Sequence, residues 1–181
     1  HACIAVLAAL NQRHETGRGQ FIDMALLDVA VSTLANIGLN QRVTGEAPKR
    51  MGNAHPSVVP YQVFETADGH MIVAVGNDGQ FAHFVKVLGL AALAVDPLYA
   101  TNAGRVENRA TLIPQLAAAM KTQTTAHWDA ALSAANVPAG PINDIGQALA
   151  DPQSVARGLA TMAGNRPAIA SPLRLSDSMP D

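Results

Sequence analysis

One cysteine, Cys3, set in an apolar run, is all the thiol chemistry this sequence holds. A lone cysteine closes no internal disulfide, and no Cys/His cluster has the spacing of a zinc site. A reducing, cytoplasmic setting without a metal is expected. Charge is also scarce. Only 14% of residues are Asp, Glu, Lys or Arg, the formal net charge is −2, and no basic block occurs. That excludes the footprint of a nucleic-acid binder. No apolar run reaches the roughly 20 residues that a bilayer span needs, so no membrane partner is expected. No signal peptide is visible. Neither common Gly-rich phosphate loop is present, nor a Gly-x-Ser-x-Gly elbow. The six histidines (His1, His14, His55, His70, His83, His127) are scattered and form no metal pair. Motif chemistry alone names no reaction.

What is present is a globular composition: 181 residues, 49% of them hydrophobic, enough to bury a core without disulfides. Cys3, Ile4, Leu7 and Leu10 recur at helical spacing and predict a helix over about 1–14, ended by Gly17. It starts at His1 without an initiator Met or a capping residue, and a chain cut from something longer is expected. Residues 20–24 read as a short strand and about 25–41 as a second helix. Helix, turn, strand, helix is the tail of an α/β layer. A linker with a domain boundary follows over 46–60. Asp68-Gly69 between two β-rich runs predicts a hairpin over 61–75. Asp78 is expected to cap a helix over 79–88. Further helices are expected over 105–121, bent or restarted at Pro114, and from Thr124 or Thr125 to about Ala135, stopped by Asn136. A short strand over 139–142, short helices after Asp144 and Asp151-Pro152, and two strands around 164–167 complete the reading. The end, 177–181, is turn-like. Trp128 reads as core, His127 as a surface residue, and Tyr99 as a packed turn residue.

Two stretches could carry chemistry. Thr16-Gly17-Arg18-Gly19-Gln20-Phe21-Ile22-Asp23 reads first as a tight turn needing two glycines. A carboxylate such as Asp23 or Asp28 is a reasonable acyl-transfer nucleophile. However, an acid at a helix start, as at Asp28, is favoured by the macrodipole regardless of function. The second stretch is Arg50-Met51-Gly52-Asn53-Ala54-His55-Pro56-Ser57. Gly52 and Asn53 tolerate a sharp bend. Such a loop can present N–H groups to an oxyanion or cover a substrate, or it can be a plain connector.

Taken in order, these segments resemble the class III CoA-transferases of the CaiB/BaiF, formyl-CoA transferase-like group. The matching residues are Thr16 to Gln20 with Ile22-Asp23 and Asp28, Arg50 to Pro56, Tyr61 to Gly69, and Gly76 to Phe81. They continue with Asp96-Pro97, Asn102, Arg105, Asn108-Arg109, Val137 to Ile142, and Asp151-Pro152-Gln153. The resemblance covers nearly the whole chain. It implies an α/β (α+β) architecture: the end of a Rossmann-like large-domain segment (1–45), a linker and active-site loop (46–60), a small α+β domain with a β-hairpin and several helices (61–157), and a return toward the large domain (158–181). It further implies transfer of CoA between an acyl-CoA and a carboxylic acid through an aspartyl-CoA intermediate, in an interlocked homodimer. No cofactor is bound permanently; the coenzyme A thioester is substrate. The nucleophilic aspartate is expected just before His1, so no catalytic residue is expected in this chain, which alone would be inactive. The substrate-binding residues carried over are Gly52, Asn53, Ala54, His55, Pro56 and Ser57, with no metal ligand. This loop is less glycine-rich than in formyl-CoA transferases, which counts against oxalate or formate as substrate. A 2-methylacyl-CoA racemase, using acid and base groups upstream, and a non-catalytic CoA-binding or dimerisation module are the rival readings.

Overall fold

The computed structural model describes residues 1–178; the last three positions of the turn-like end, 179–181, lie outside the described residues. The fold mixes helices with two small antiparallel sheets, an α+β arrangement. Two compact units divide the chain, His1–Gly52 and Asn53 onward.

The first unit is helical. Helix α1 spans Ala2–Thr16 and ends on Gly17 in the left-handed conformation, its N–H bonded to Arg13 O. The strand expected over 20–24 is absent: these residues carry no ladder partner. The single helix expected over 25–41 is two, α2 (Leu26–Ser32) and α3 (Ala35–Thr44). The break falls at Thr33-Leu34, immediately before Ala35, whose φ is +48°. Ser32 and Thr33 hydroxyls bond back to Val29 O and Ala30 O, competing with the helical ladder there. Gly45, also left-handed, ends α3. None of these three helices contains a buried residue.

The second unit holds the core. Strands β1 (Tyr61–Glu65) and β2 (His70–Ala74) form the expected hairpin, with Tyr61 opposite Ala74 and Glu65 opposite His70. A third strand, β3 (Ala139–Pro141), pairs antiparallel with β2. Alternation places Met71, Val73 and Val75 on the buried face, as a half-buried strand requires. Three helices cover that face. Helix α4 (Asp78–Val87) buries Phe81, Phe84 and Val85, an i, i+3, i+4 stripe. Its cap is Asn77, one residue before the expected Asp78: Asn77 is extended (φ −152°) and its side chain accepts from Gln80 N. Asp78 stands instead in the first helical turn, with its carboxylate on Arg105.

After a 3₁₀ turn at Ala91–Ala94, the helix expected over 105–121 is again two, α5 (Asn102–Glu107) and α6 (Arg109–Met120). The break is at Asn108 rather than at Pro114, which sits inside α6. Gly104 is required in α5, because a Cβ there would come 2.7 Å from Leu98 O. Helix α6 buries Leu112, Leu116 and Met120. Helix α7 (Thr125–Ala134), capped by Thr124, buries Trp128 and Leu132, and the Trp128 indole donates to Met120 O at 2.7 Å. His127 beside it is exposed, and Asn136 stops the segment at φ +53°. Tyr99 is buried, with its hydroxyl 3.0 Å from Thr111 Oγ1. Beyond the core come α8 (Ile145–Ala150), with a full Asp144/Gln147 capping box, and α9 (Pro152–Ala156), capped by Asp151. A second hairpin, β4 (Ala160–Ala163) with β5 (Arg166–Ile169), follows.

Candidate active-site loop

The residues singled out at the entrance to the second unit form a loop built against the outer edge of β1. Strand β1 is terminal in the order β1-β2-β3, so one row of its backbone groups faces away from the sheet. The loop satisfies two of them. Asn53 Oδ1 accepts from Val63 N at 3.0 Å, and His55 N donates to Tyr61 O at 2.9 Å. The His55 ring lies stacked on the Tyr61 ring, with centroids 5.4 Å apart and planes 15° from parallel. His55 Nδ1 accepts from Ser57 N at 3.1 Å. A neutral imidazole in that position therefore carries its proton on Nε2.

The loop's carbonyls are held from the opposite side by α5 and α6. The Arg109 guanidinium donates to Pro56 O at 2.6 Å and to His55 O at 3.4 Å, while its Nε holds Val106 O. The Asn102 amide is used at both ends: Nδ2 donates to Ser57 O at 2.9 Å and Oδ1 accepts from Val59 N at 3.1 Å. Arg105, 0% exposed, donates through Nε to Val59 O at 2.6 Å and through Nη1 to Tyr99 O and Ala100 O. Its Nη2 pairs with Asp78 at 2.8 Å, and its guanidinium lies 4.4 Å above the Phe81 ring. A buried arginine is tolerated when its nitrogens are bonded, and here Nε, Nη1 and Nη2 reach three carbonyls and one carboxylate while the guanidinium lies against the Phe81 ring.

Each carried-over residue has a definite place. Gly52 closes the first unit at φ +60°, a conformation glycine adopts without strain. Ala54, His55 and Pro56 are half-buried, and Asn53 and Ser57 are exposed. Three N–H groups that an oxyanion could have used, those of His55, Ser57 and Val59, are bonded within the unit. The residues overlooked by sequence reasoning as loop partners are Asn102, Arg105 and Arg109. They stand on α5 and at the start of α6, on either side of the break at Asn108, and no local pattern names the loop as their partner.

Asp23 and Asp28 come together in the first unit, on the wall of a cleft of about 400 Å³ that His1, Ile4, Ala5, Ala8, Met24 and Val29 also line. Both carboxylates are exposed. An apolar groove of about 570 Å³ in the same unit is lined by Val31, Leu34, Ile37, Leu39 and Pro48. Among the described residues no group of three or more metal-ligating side chains occurs, and no helix is long and apolar enough to cross a membrane.

Comparison with known proteins gives consistent matches. Residues 1–180 match the profile of CoA-transferase family III. A succinate–glutarate CoA-transferase of Agrobacterium fabrum is 46% identical over 160 residues, covering 86% of this chain and 39% of that protein. An acetyl-CoA:oxalate CoA-transferase of Acetobacter aceti is 33% identical, covering 94% of this chain and 44% of that protein. The crystal structure of a CaiB/BaiF family protein from Brucella suis superimposes with a TM-score of 0.77 at 45% identity, covering 97% of this chain and 47% of that one. The chain thus spans less than half the length of each.

Proposed function

Since the chain belongs to CoA-transferase family III, we propose that it forms part of an enzyme exchanging coenzyme A between an acyl-CoA and a free dicarboxylate. In this reading the first unit is the end of a large-domain segment, residues 61–157 are the small domain, and 158–181 return toward the large domain. The enzyme is an interlocked homodimer working in the cytoplasm. The nucleophile is an aspartate outside these 181 residues. Its carboxylate attacks the thioester carbonyl and CoA thiolate leaves, giving a mixed anhydride. The thiolate then takes the aspartyl carbonyl and releases the first acid. The acceptor carboxylate and the thiolate repeat these steps in reverse order and regenerate the aspartate. The loop Gly52–Ser57 walls the acyl pocket and keeps water from the anhydride.

The observation carrying this reading is the loop itself: a polar, partly exposed segment whose backbone is fixed from two sides by β1 and by α5–α6. A fixed polar wall suits discrimination among small carboxylates better than a free connector does. The transferase names of both curated relatives favour CoA transfer over racemisation. The 46% identity to a succinate–glutarate enzyme favours C4 and C5 dicarboxylates over oxalate.

The test uses the full-length protein with succinyl-CoA and glutarate. Glutaryl-CoA should form, and hydroxylamine added during turnover should leave a hydroxamate on an aspartate outside residues 1–181. A hydroxamate on Asp23 or Asp28 overturns the assignment of the nucleophile. Absence of exchange with succinate, glutarate, oxalate or mesaconate as acceptor overturns the activity.

A further inference from the structure

The three side chains that hold the loop do different things. Arg105 is wholly buried and ties Val59 to the core, so its removal would disturb the fold as a whole. Asn102 and Arg109 are half-buried, and between them they hold the His55, Pro56 and Ser57 carbonyls, with Asn102 also accepting from Val59 N and Arg109 Nε holding Val106 O. Three consecutive carbonyls turned toward α5 and α6 fix three consecutive peptide planes. Because a trans peptide sets its C=O and the following N–H in opposite directions, the Ser57 and Val58 N–H groups are turned away from those helices. The Ser57 N–H goes to His55 Nδ1, which in turn fixes the imidazole against Tyr61. The orientation of the His55 ring thus depends on a chain of contacts that begins at Arg109 and Asn102.

The geometry assigns Asn102 and Arg109 as positioning residues for the CoA-transfer reaction. They set the direction of the His55–Ser57 peptides and the His55 ring, and thereby the partition of the acylated enzyme between acceptor carboxylate and water. This rests on the reading of the loop as a wall of the acyl pocket. Neither side chain touches the reacting atoms in this role. Arg109 acts as a two-donor fork, which a lysine does not reproduce. Asn102 acts as donor and acceptor at once, and an aspartate keeps only the acceptor half.

The experiment compares Arg109→Lys, Arg109→Ala, Asn102→Asp and His55→Ala in the full-length protein, with succinyl-CoA as donor and glutarate as acceptor. The readouts are the rates of transfer and of succinyl-CoA hydrolysis, KM for glutarate, and the melting midpoint. Asn102→Asp retains the acceptor for Val59 N–H and places an acid in the first turn of α5, where it is tolerated, so it should fold. It should lower the transfer-to-hydrolysis ratio at least 10-fold while the melting midpoint stays within about 3 °C, a small change on the usual scale. Arg109→Ala should lower the ratio at least as far, and Arg109→Lys should recover only part of it. His55→Ala separates the two ideas. If it shifts the ratio or the acceptor preference while Asn102→Asp and Arg109→Lys leave the ratio at the wild-type value, the loop matters and the positioning role is wrong. If His55→Ala and the other variants all keep the wild-type ratio and acceptor profile, the reading of the loop falls, and this inference with it. Equal falls in transfer and hydrolysis that track a falling melting midpoint also overturn the positioning role, since that is the signature of lost structure.

Discussion

His1–Gly52 and the segment from Val59 to Val137 are similarly apolar in sequence and opposite in burial. In the first, Phe21 is 91% exposed and Leu26 89%, and no helix residue is buried. In the second, Met71, Phe84, Leu112, Leu116 and Leu132 are all at 0%. The difference lies in what each apolar stripe meets. Helices α4, α6 and α7 close over one sheet face, so their stripes share a single cluster. Helices α1, α2 and α3 have apolar residues but no sheet of their own to lay them on. A hydrophobic pattern specifies which face wants burial, not what buries it.

The largest effect that sharpens this contrast is a truncation in the core. Leu116→Ala should destabilise this chain by about 2–5 kcal/mol in urea unfolding, as expected for a fully buried leucine whose cavity cannot collapse. A cost well below that range would mean the second unit is loosely packed.

A smaller effect concerns acid. The Thr125 N–H and hydroxyl hold the Asp68 carboxyl below its ordinary value of 3.8, and a hydrogen bond from Lys121 holds Glu65 below 4.5. Both values are lower folded than unfolded. Their contribution is therefore complete above the ordinary values and is lost as pH falls through the folded ones. Asp68→Asn removes one of these titrations. It should flatten the decline of the melting midpoint of the second unit between about pH 5 and 2. An unchanged acid profile would show that the Asp68 contacts with Thr66 and Thr125 do not form in solution.

The smallest effect is expected in the first unit. Leu26→Ala should change the unfolding free energy of this chain by less than about 0.5 kcal/mol, as for other exposed positions. A cost above 1 kcal/mol, on the scale of ordinary buried substitutions, would break the contrast by showing that Leu26 is covered in solution.

The sequence made much of the second unit legible because its signals are local. Asp68-Gly69 gave the hairpin, and Thr124 and Asp144 marked the starts of their helices. The misread features depend on neighbours distant in the chain. Asp78 looked like the cap because its partner Arg105, 27 residues on, was invisible. Pro114 looked like the break in the 105–121 helix, but Asn108, whose amide reaches Leu98 O and Gly104 O, supplies it. The false strand at 20–24 came from residues of extended character that have no ladder to join. For the loop, composition suggested its bend and polarity, whereas its anchoring by Asn102 and Arg109 spans 45 and 53 residues of sequence. No periodicity reports a contact of that range.

The seating of residues 53–55 along β1 has a consequence for solubility. An uncovered edge strand is a template for another molecule's strand, and proteins guard such edges with charge, bulges or a covering segment. Here the bonds from Asn53 to Val63 and from His55 to Tyr61 occupy that edge. A substitution that lifts the loop off β1 would offer the edge to a second chain. Substitutions in this loop would then be limited by aggregation, and replacements that keep the Asn53 side-chain acceptor would stay in solution longest.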